Sequence, residues 1–276
     1  MSTDKIKRAG EKGFTLVELS IVILIIGLLI AGIAAGTQMI RQAELRSIIS
    51  DFYNFTIAYN NFQTKYKAVP GDFNAAASFF PTGCVTGTAT GCNGSGDGLI
   101  DYDASSPGTS EVNLAWQHLA LAKVLGGSFT AVDKTLATTI IGTNAPQSKR
   151  VGLGYILIND AKKGINKNGT GAPAAVFEAD RNVIFLGKAE AATTLFNSAL
   201  SPEDAFNIDQ KMDDAYADTT GTTVFRGSDT GVVRAKNGDD GTTAPNTCIV
   251  TVSSSNSYNV GVSPTPTACR LGASVN

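Results

Sequence analysis

Histidine and cysteine are nearly missing from this chain of 276 residues: His118 is the single histidine, and Cys84, Cys92, Cys248 and Cys269 are the only cysteines. A centre built from nitrogen and sulfur ligands is disfavoured, because neither cysteine pair has the short two-residue spacing of such sites and only one imidazole is on offer. Trp116, Gln117 and His118 stand together, but nothing identifies a serine for the histidine to activate, so the chain is expected not to be an enzyme. Positive charge is not in excess either. The 22 basic and 24 acidic residues give a formal net charge of -2, and basic residues in the carboxy-terminal part are scattered rather than striped, so no nucleic-acid partner is supported. Proline is absent before Pro70, so nothing of that kind interrupts a long amino-terminal helix.

What the chain does have is an uncharged apolar run of 22 residues, Leu19 to Ile40, behind a polar leader carrying Lys5, Lys7, Arg8 and Lys12 against Asp4 and Glu11. The run is long enough to cross a bilayer once, and the basic leader sets its amino terminus inside. A secretory signal peptide has a shorter apolar part, although Ala31, Ala34 and Ala35 could supply a small-residue cleavage site.

Between leader and run lies Gly13, Phe14, Thr15, Leu16, Val17, Glu18. This stretch resembles the signature of bacterial type IV pilins and type II secretion pseudopilins. The resemblance implies cutting after Gly13 by a prepilin peptidase, methylation of the new amino terminus at Phe14, and assembly into a helical filament with other pilins by an inner-membrane platform. On physical grounds, Glu18 at the edge of hydrocarbon needs a cation, or must snorkel to the headgroups. A terminal amine at Phe14, in the same chain or a neighbour, is the nearest candidate, and the resemblance implies the version between subunits.

Three parts are expected: a leader, 1–13, that is removed; a long helix, 14–67, with 14–40 in the membrane or filament core and 41–67 amphipathic; and a head, 68–276. Leu45, Ile48, Phe52, Phe55, Tyr59, Phe62 and Tyr66 recur at steps of three and four, a stripe that must pack on something, the chain's own head or a partner helix. Gly27, Gly32 and Gly36 weaken the apolar half where many relatives of the pilin type carry a bending proline. In the head, strands are expected at 137–141, 151–159, 182–187, 222–226, 231–235, 248–252 and 258–262. One short helix is expected over 110–125, capped by Ser110 and stopped by Gly126 and Gly127, and another begins Ser201, Pro202, Glu203, Asp204. At its end, Asp209, Lys211 and Asp213 are expected to serve a turn or a salt bridge. The fold class is α+β: a long amino-terminal helix packed on a loop-rich head with an antiparallel sheet and short helices.

Four cysteines allow three pairings, and the two local ones, Cys84 with Cys92 and Cys248 with Cys269, are preferred because each staples a turn-rich segment outside the cytoplasm. Asn93, Ser95, Asp97, Leu99 and Asp101 fall where an EF-hand loop puts its first oxygen ligands, with glycine at the sixth place; the twelfth is Ala104, so Asp103 or Glu111 would have to complete a weak calcium site. The alternative is a plain glycine-rich loop.

The functional expectation is a structural subunit of a type IV pilus-like filament, held in the bacterial inner membrane and then at the cell surface. Alternatives are a pseudopilin of a periplasmic secretion filament, or a minor or tip pilin with an adhesive or DNA-binding head.

Overall fold

A computed structural model describes residues 13–81, 92–101, 111–129, 139–159, 181–188, 198–219, 224–237, 248–252, 255–261 and 268–275. The chain divides into two compact units, Met1–Glu44 and Leu45–Asn276.

In the first unit the structure is helical. Helix α1 spans Leu16–Tyr66, and the share of it up to Glu44 leaves its apolar side chains uncovered. The hydroxyls inside this apolar segment turn back on the helix: Ser20 Oγ donates to the Val17 carbonyl at 2.8 Å and Thr37 Oγ1 to that of Ala34 at 2.9 Å. Each hydroxyl is thus satisfied without water, as a hydrocarbon environment requires. By length and composition the helix can cross a membrane.

The second unit is organised by the rest of α1. Leu45, Ile48, Phe52, Phe55, Tyr59 and Phe62 are buried, with Tyr66 packed at the edge of the same core. The 3.6-residue period therefore faces the chain's own head. Phe52 and Phe55 meet Tyr155 edge to face at 5.6 and 4.9 Å between centroids, and Phe55 meets Trp116 at 4.9 Å. Such pairs add to the roughly 1.5–3 kcal/mol that each fully buried apolar side chain contributes. The helix stops where Lys67 takes a left-handed φ of 53°, three residues before Pro70.

Short helices α2 (Ala76–Phe79), α3 (Val112–Leu121) and α4 (Pro202–Met212) follow. Helix α4 begins as its sequence demands, with Ser201 Oγ accepting from the Asp204 amide at 3.1 Å, proline in the first turn and Glu203 and Asp204 at the positive end of the dipole. Helix α3 ends at Leu121, short of the glycines expected to stop it, and Glu111 stands at its cap position; Ser110 lies outside the described residues.

The strands are β1 (Leu153–Asn159), β2 (Asn182–Lys188), β3 (Tyr216–Asp218), β4 (Val224–Arg226), β5 (Val233–Asn237), β6 (Ile249–Val252), β7 (Ser255–Tyr258) and β8 (Cys269–Ser274). They form two antiparallel sheets of four strands rather than one, ordered β1-β2-β8-β5 and β3-β4-β7-β6. Leu153 to Asn159 is buried at every position, so both faces of β1 are covered and its sequence shows an apolar run instead of alternation. The strand expected at 258–262 lies earlier, because pairing of Ile249 with Tyr258 and Val252 with Ser255 fixes the β6–β7 register. Of the segment 137–141, the described part contributes only an isolated bridge between Ile141 and Ala145. β3 and β8 were not expected. The alternation Cys269, Leu271, Ala273 against Arg270, Gly272, Ser274 carries the signal for β8, weakened by a central glycine.

Cys248 and Cys269 are bonded, Cα to Cα 4.8 Å. One precedes β6 and the other opens β8, so a bridge that looks local in sequence ties the two sheets together. Cys92 is also disulfide-bonded, whereas its expected partner Cys84 lies outside the described residues. Replacing Cys248 and Cys269 by alanine is expected to lower the stability of the oxidised chain by about 3 kcal/mol, the chain-entropy value for a loop of this order. Denaturant unfolding followed by the fluorescence of the single tryptophan measures it.

Candidate functional site

Two arrangements carry the residues singled out by the sequence. The first is the start of α1. Thr15 and Glu18 form a reciprocal cap: Glu18 Oε2 accepts from the Thr15 amide at 2.8 Å and from Thr15 Oγ1 at 2.9 Å, while Thr15 Oγ1 accepts from the Glu18 amide at 3.3 Å. This is the capping box in which the side chain at the cap and the one three residues on satisfy each other's backbone donors. It gives Glu18 a role inside its own chain besides any pairing with a cation, and the spacing Thr15-x-x-Glu18 is its signal in the sequence. Gly13 and Phe14 precede the helix, with Phe14 90% exposed. The leader up to Lys12 lies outside the described residues.

The second arrangement is the loop at 92–101, which reads as either a weak calcium site or a plain glycine-rich turn. Its backbone turns inward on the carboxylate of Asp72, which is 2% exposed. Asp72 Oδ1 accepts from Ser95 Oγ at 2.8 Å, from the Gly96 amide at 2.5 Å and from the Asp97 amide at 3.2 Å; Oδ2 accepts from the Gly98 amide at 2.6 Å. Successive amides converging on one anion form a nest. Two oxygens of the calcium reading are engaged by backbone: Asn93 Oδ1 accepts from the Ala77 amide at 2.8 Å and Asp97 Oδ1 from the Leu99 amide at 3.0 Å. Gly94 is required here, because a side chain on it would overlap the Asp72 backbone at 2.3 Å.

Further groups lock the loop. Glu111 accepts from the Ser95 amide at 2.5 Å and the Asp101 amide at 3.0 Å. Asn182, from β2, accepts from the Ile100 amide at 2.9 Å and donates to the Gly98 carbonyl and the Tyr59 hydroxyl, both at 3.0 Å. His118 is fully buried: its Nδ1 accepts from the Gly71 amide at 2.9 Å, which makes Nε2 the donor to the Cys92 carbonyl, also at 2.9 Å. That tautomer holds a turn and leaves no free nitrogen for base catalysis. Sequence reasoning missed Asp72 and Asn182, since a carboxylate or amide that receives backbone N–H groups has no partner side chain to mark it.

Burial pushes the Glu111 carboxyl up to about 7, against the pull of the Asp101 and Ser95 amides and with a further push from Asp72. A carboxyl raised in the folded state above its ordinary 4.5 contributes stability that is complete below that value and is lost as pH rises through about 7. Glu111→Gln is therefore expected to flatten part of the fall in Tm between about pH 4.5 and 7, as scanning calorimetry across that range would show. Asp72→Ala strands four donors at once and is expected to cost roughly 3 kcal/mol or more, read from the denaturation midpoint. The first change tests a charge and the second a scaffold.

Residues 8–34 match the family model described as the prokaryotic N-terminal methylation motif. Neither a curated protein nor a solved structure matches the chain significantly. The matched segment contains Gly13, Phe14, the Thr15–Glu18 cap and most of the apolar run, and it implies processing by a prepilin peptidase and assembly with other pilins. The amino terminus of this chain thus carries the type IV pilin and pseudopilin signature.

Proposed function

We propose that the chain is a structural subunit of a type IV pilus-like filament: made as a precursor in the inner membrane, cut between Gly13 and Phe14, methylated at Phe14, and assembled through its amino-terminal helix. The observation that carries this reading is that the apolar side chains from Leu16 to Ile40, directly behind the methylation motif, are left exposed by the chain's own fold. Uncovered apolar surface of that extent needs lipid or other copies of the same helix around it. A precursor held in a bilayer and a subunit packed in a filament core supply these in turn.

Glu18 then has two tasks. It caps its own helix, and its remaining charge favours subunits that bring a cation, the Phe14 amine of a neighbour, to the correct axial step. Substitution separates the tasks: Glu18→Gln keeps the capping geometry and removes the charge, whereas Glu18→Ala removes both. Both variants are expected to insert into the membrane, and both to lose filament yield by more than about tenfold, the penalty that an unpaired buried charge or a missing partner imposes. Full yield from Glu18→Gln would reduce the role of Glu18 to a helix cap.

Amino-terminal sequencing and intact mass of the exported chain are expected to give a start at Phe14. A start behind Ala31, Ala34 or Ala35 would indicate ordinary secretory processing instead. Mass spectrometry of filaments sheared from the cell surface is expected to find the mature chain. Its absence there, with cutting at Phe14 intact, would move it to a periplasmic pseudopilus.

A further inference from the structure

The carboxyl end of α4 gathers Asp209, Asp213 and Asp214, one carboxylate oxygen of each lying within 4.8 Å of the others. Two other segments, β7 and the stretch 230–233, grip one oxygen of each. The Tyr258 hydroxyl, from β7, donates to Asp209 Oδ2 at 2.6 Å. The Val233 amide of β5 donates to Asp213 Oδ2 at 2.9 Å, joined by the Val232 amide. Thr230 Oγ1 donates to Asp214 Oδ2 at 2.8 Å. Each carboxylate is thus oriented by a donor on one oxygen, and Asp209 keeps its other, Oδ1, without a partner.

The uncommitted oxygen of Asp209 is the unusual one. Asp209 is 0% exposed, yet its Oδ1 has no hydrogen-bond partner. Buried polar atoms are almost always satisfied, and an exception calls for a proton, an ion or a water. No salt bridge relieves it: among the described residues no lysine or arginine, Lys211 in the same turn included, pairs with any of the three aspartates. A helix carboxyl terminus is moreover the wrong end for negative charge, because the dipole already points its carbonyls there.

A proton on Asp209 would relieve one repulsion, whereas a cation would relieve all three and occupy the orphan oxygen. The donor set contains oxygen only, the preference of hard cations. Two oxygens on opposite sides of a calcium ion at about 2.4 Å stand about 4.8 Å apart, so carboxylates spaced this way can share one ion. We propose that Asp209, Asp213 and Asp214 form a binding site for a divalent cation of the calcium class, which ties the end of α4 to β5 and β7. The site is independent of the amino-terminal motif and of the loop around Asp72.

The test uses the full-length chain in detergent, stripped with chelator and titrated with calcium chloride in a calorimeter, with Tm followed in parallel. The expected result is a dissociation constant of roughly 10⁻⁴ to 10⁻³ M and a Tm raised by roughly 5 °C at about 10 mM calcium. Asp209→Asn and Asp214→Asn are each expected to weaken binding by more than about tenfold while unfolding in chelator stays cooperative. Asp214 is exposed, so its substitution leaves the core intact. Asp97→Asn, in the other loop, is expected to leave the response unchanged. No heat and no shift in the parent protein would overturn the proposal in favour of a protonated Asp209. So would a response that survives both substitutions in the trio, and loss with Asp97→Asn alone would put the ion in the loop at 93–101.

Discussion

The second unit depends on the burial of one helical stripe. Between Leu45 and Tyr66, side chains recur every three or four residues on one side of α1, and they are mainly aromatic, so a single helix supplies much of the core. Tyr155 of β1, Trp116 and His118 of α3 and Phe73 in the turn beyond α1 meet that stripe through ring contacts. Strands β1 and β2, up to the exposed Lys188, can be buried because the helix covers what they would otherwise expose. Before Leu45 the same helix has no such cover, and its composition shifts from aromatic to aliphatic. One helix thus presents two kinds of surface.

Burying so many aromatic rings brings polar backbone with them, and those groups must be satisfied where water does not reach. The loop from Cys92 to Asp101 shows how. It has little apolar content, and it is held by a set of internal partners: the Asp72 carboxylate inside it, Glu111 and Asn182 at its flanks, and His118 joining its first residue to Gly71. An anion surrounded by amide donors is an economical partner for a glycine-rich turn, since glycines let the backbone approach closely. The arrangement places two carboxylates, Asp72 and Glu111, near one another in a dry setting, and the raised proton affinity of Glu111 follows from that.

The same element types are used differently at the ends of the helices. At the start of α1, Glu18 is matched by the donors of Thr15, and at the start of α4, Ser201 is matched by the amide of Asp204. Acidic groups there agree with the dipole. At the end of α4 they oppose it, with Asp209 sealed from solvent and burial raising its carboxyl to about 8. Local preference is overridden at that point by a tertiary arrangement.

Features written in neighbouring residues could be read directly from the sequence. The methylation motif, the apolar run, the stripe on α1, the cap and proline of α4 and the apolar runs of β1 and β2 all lie within a few turns or one strand, where periodicity and adjacency carry the physics. Even the Thr15–Glu18 box belongs to this class. The clamp on the loop does not: Asn182 reaches across 82 residues to the Ile100 amide and 123 residues to Tyr59. Neither the split into two sheets nor the role of Cys248–Cys269 in joining them has a local sign, because strand neighbours are chosen by long-range register. Backbone donors look alike in every residue, so which carboxylate they surround, and which is left buried with an oxygen unmatched, is decided only when distant segments pack.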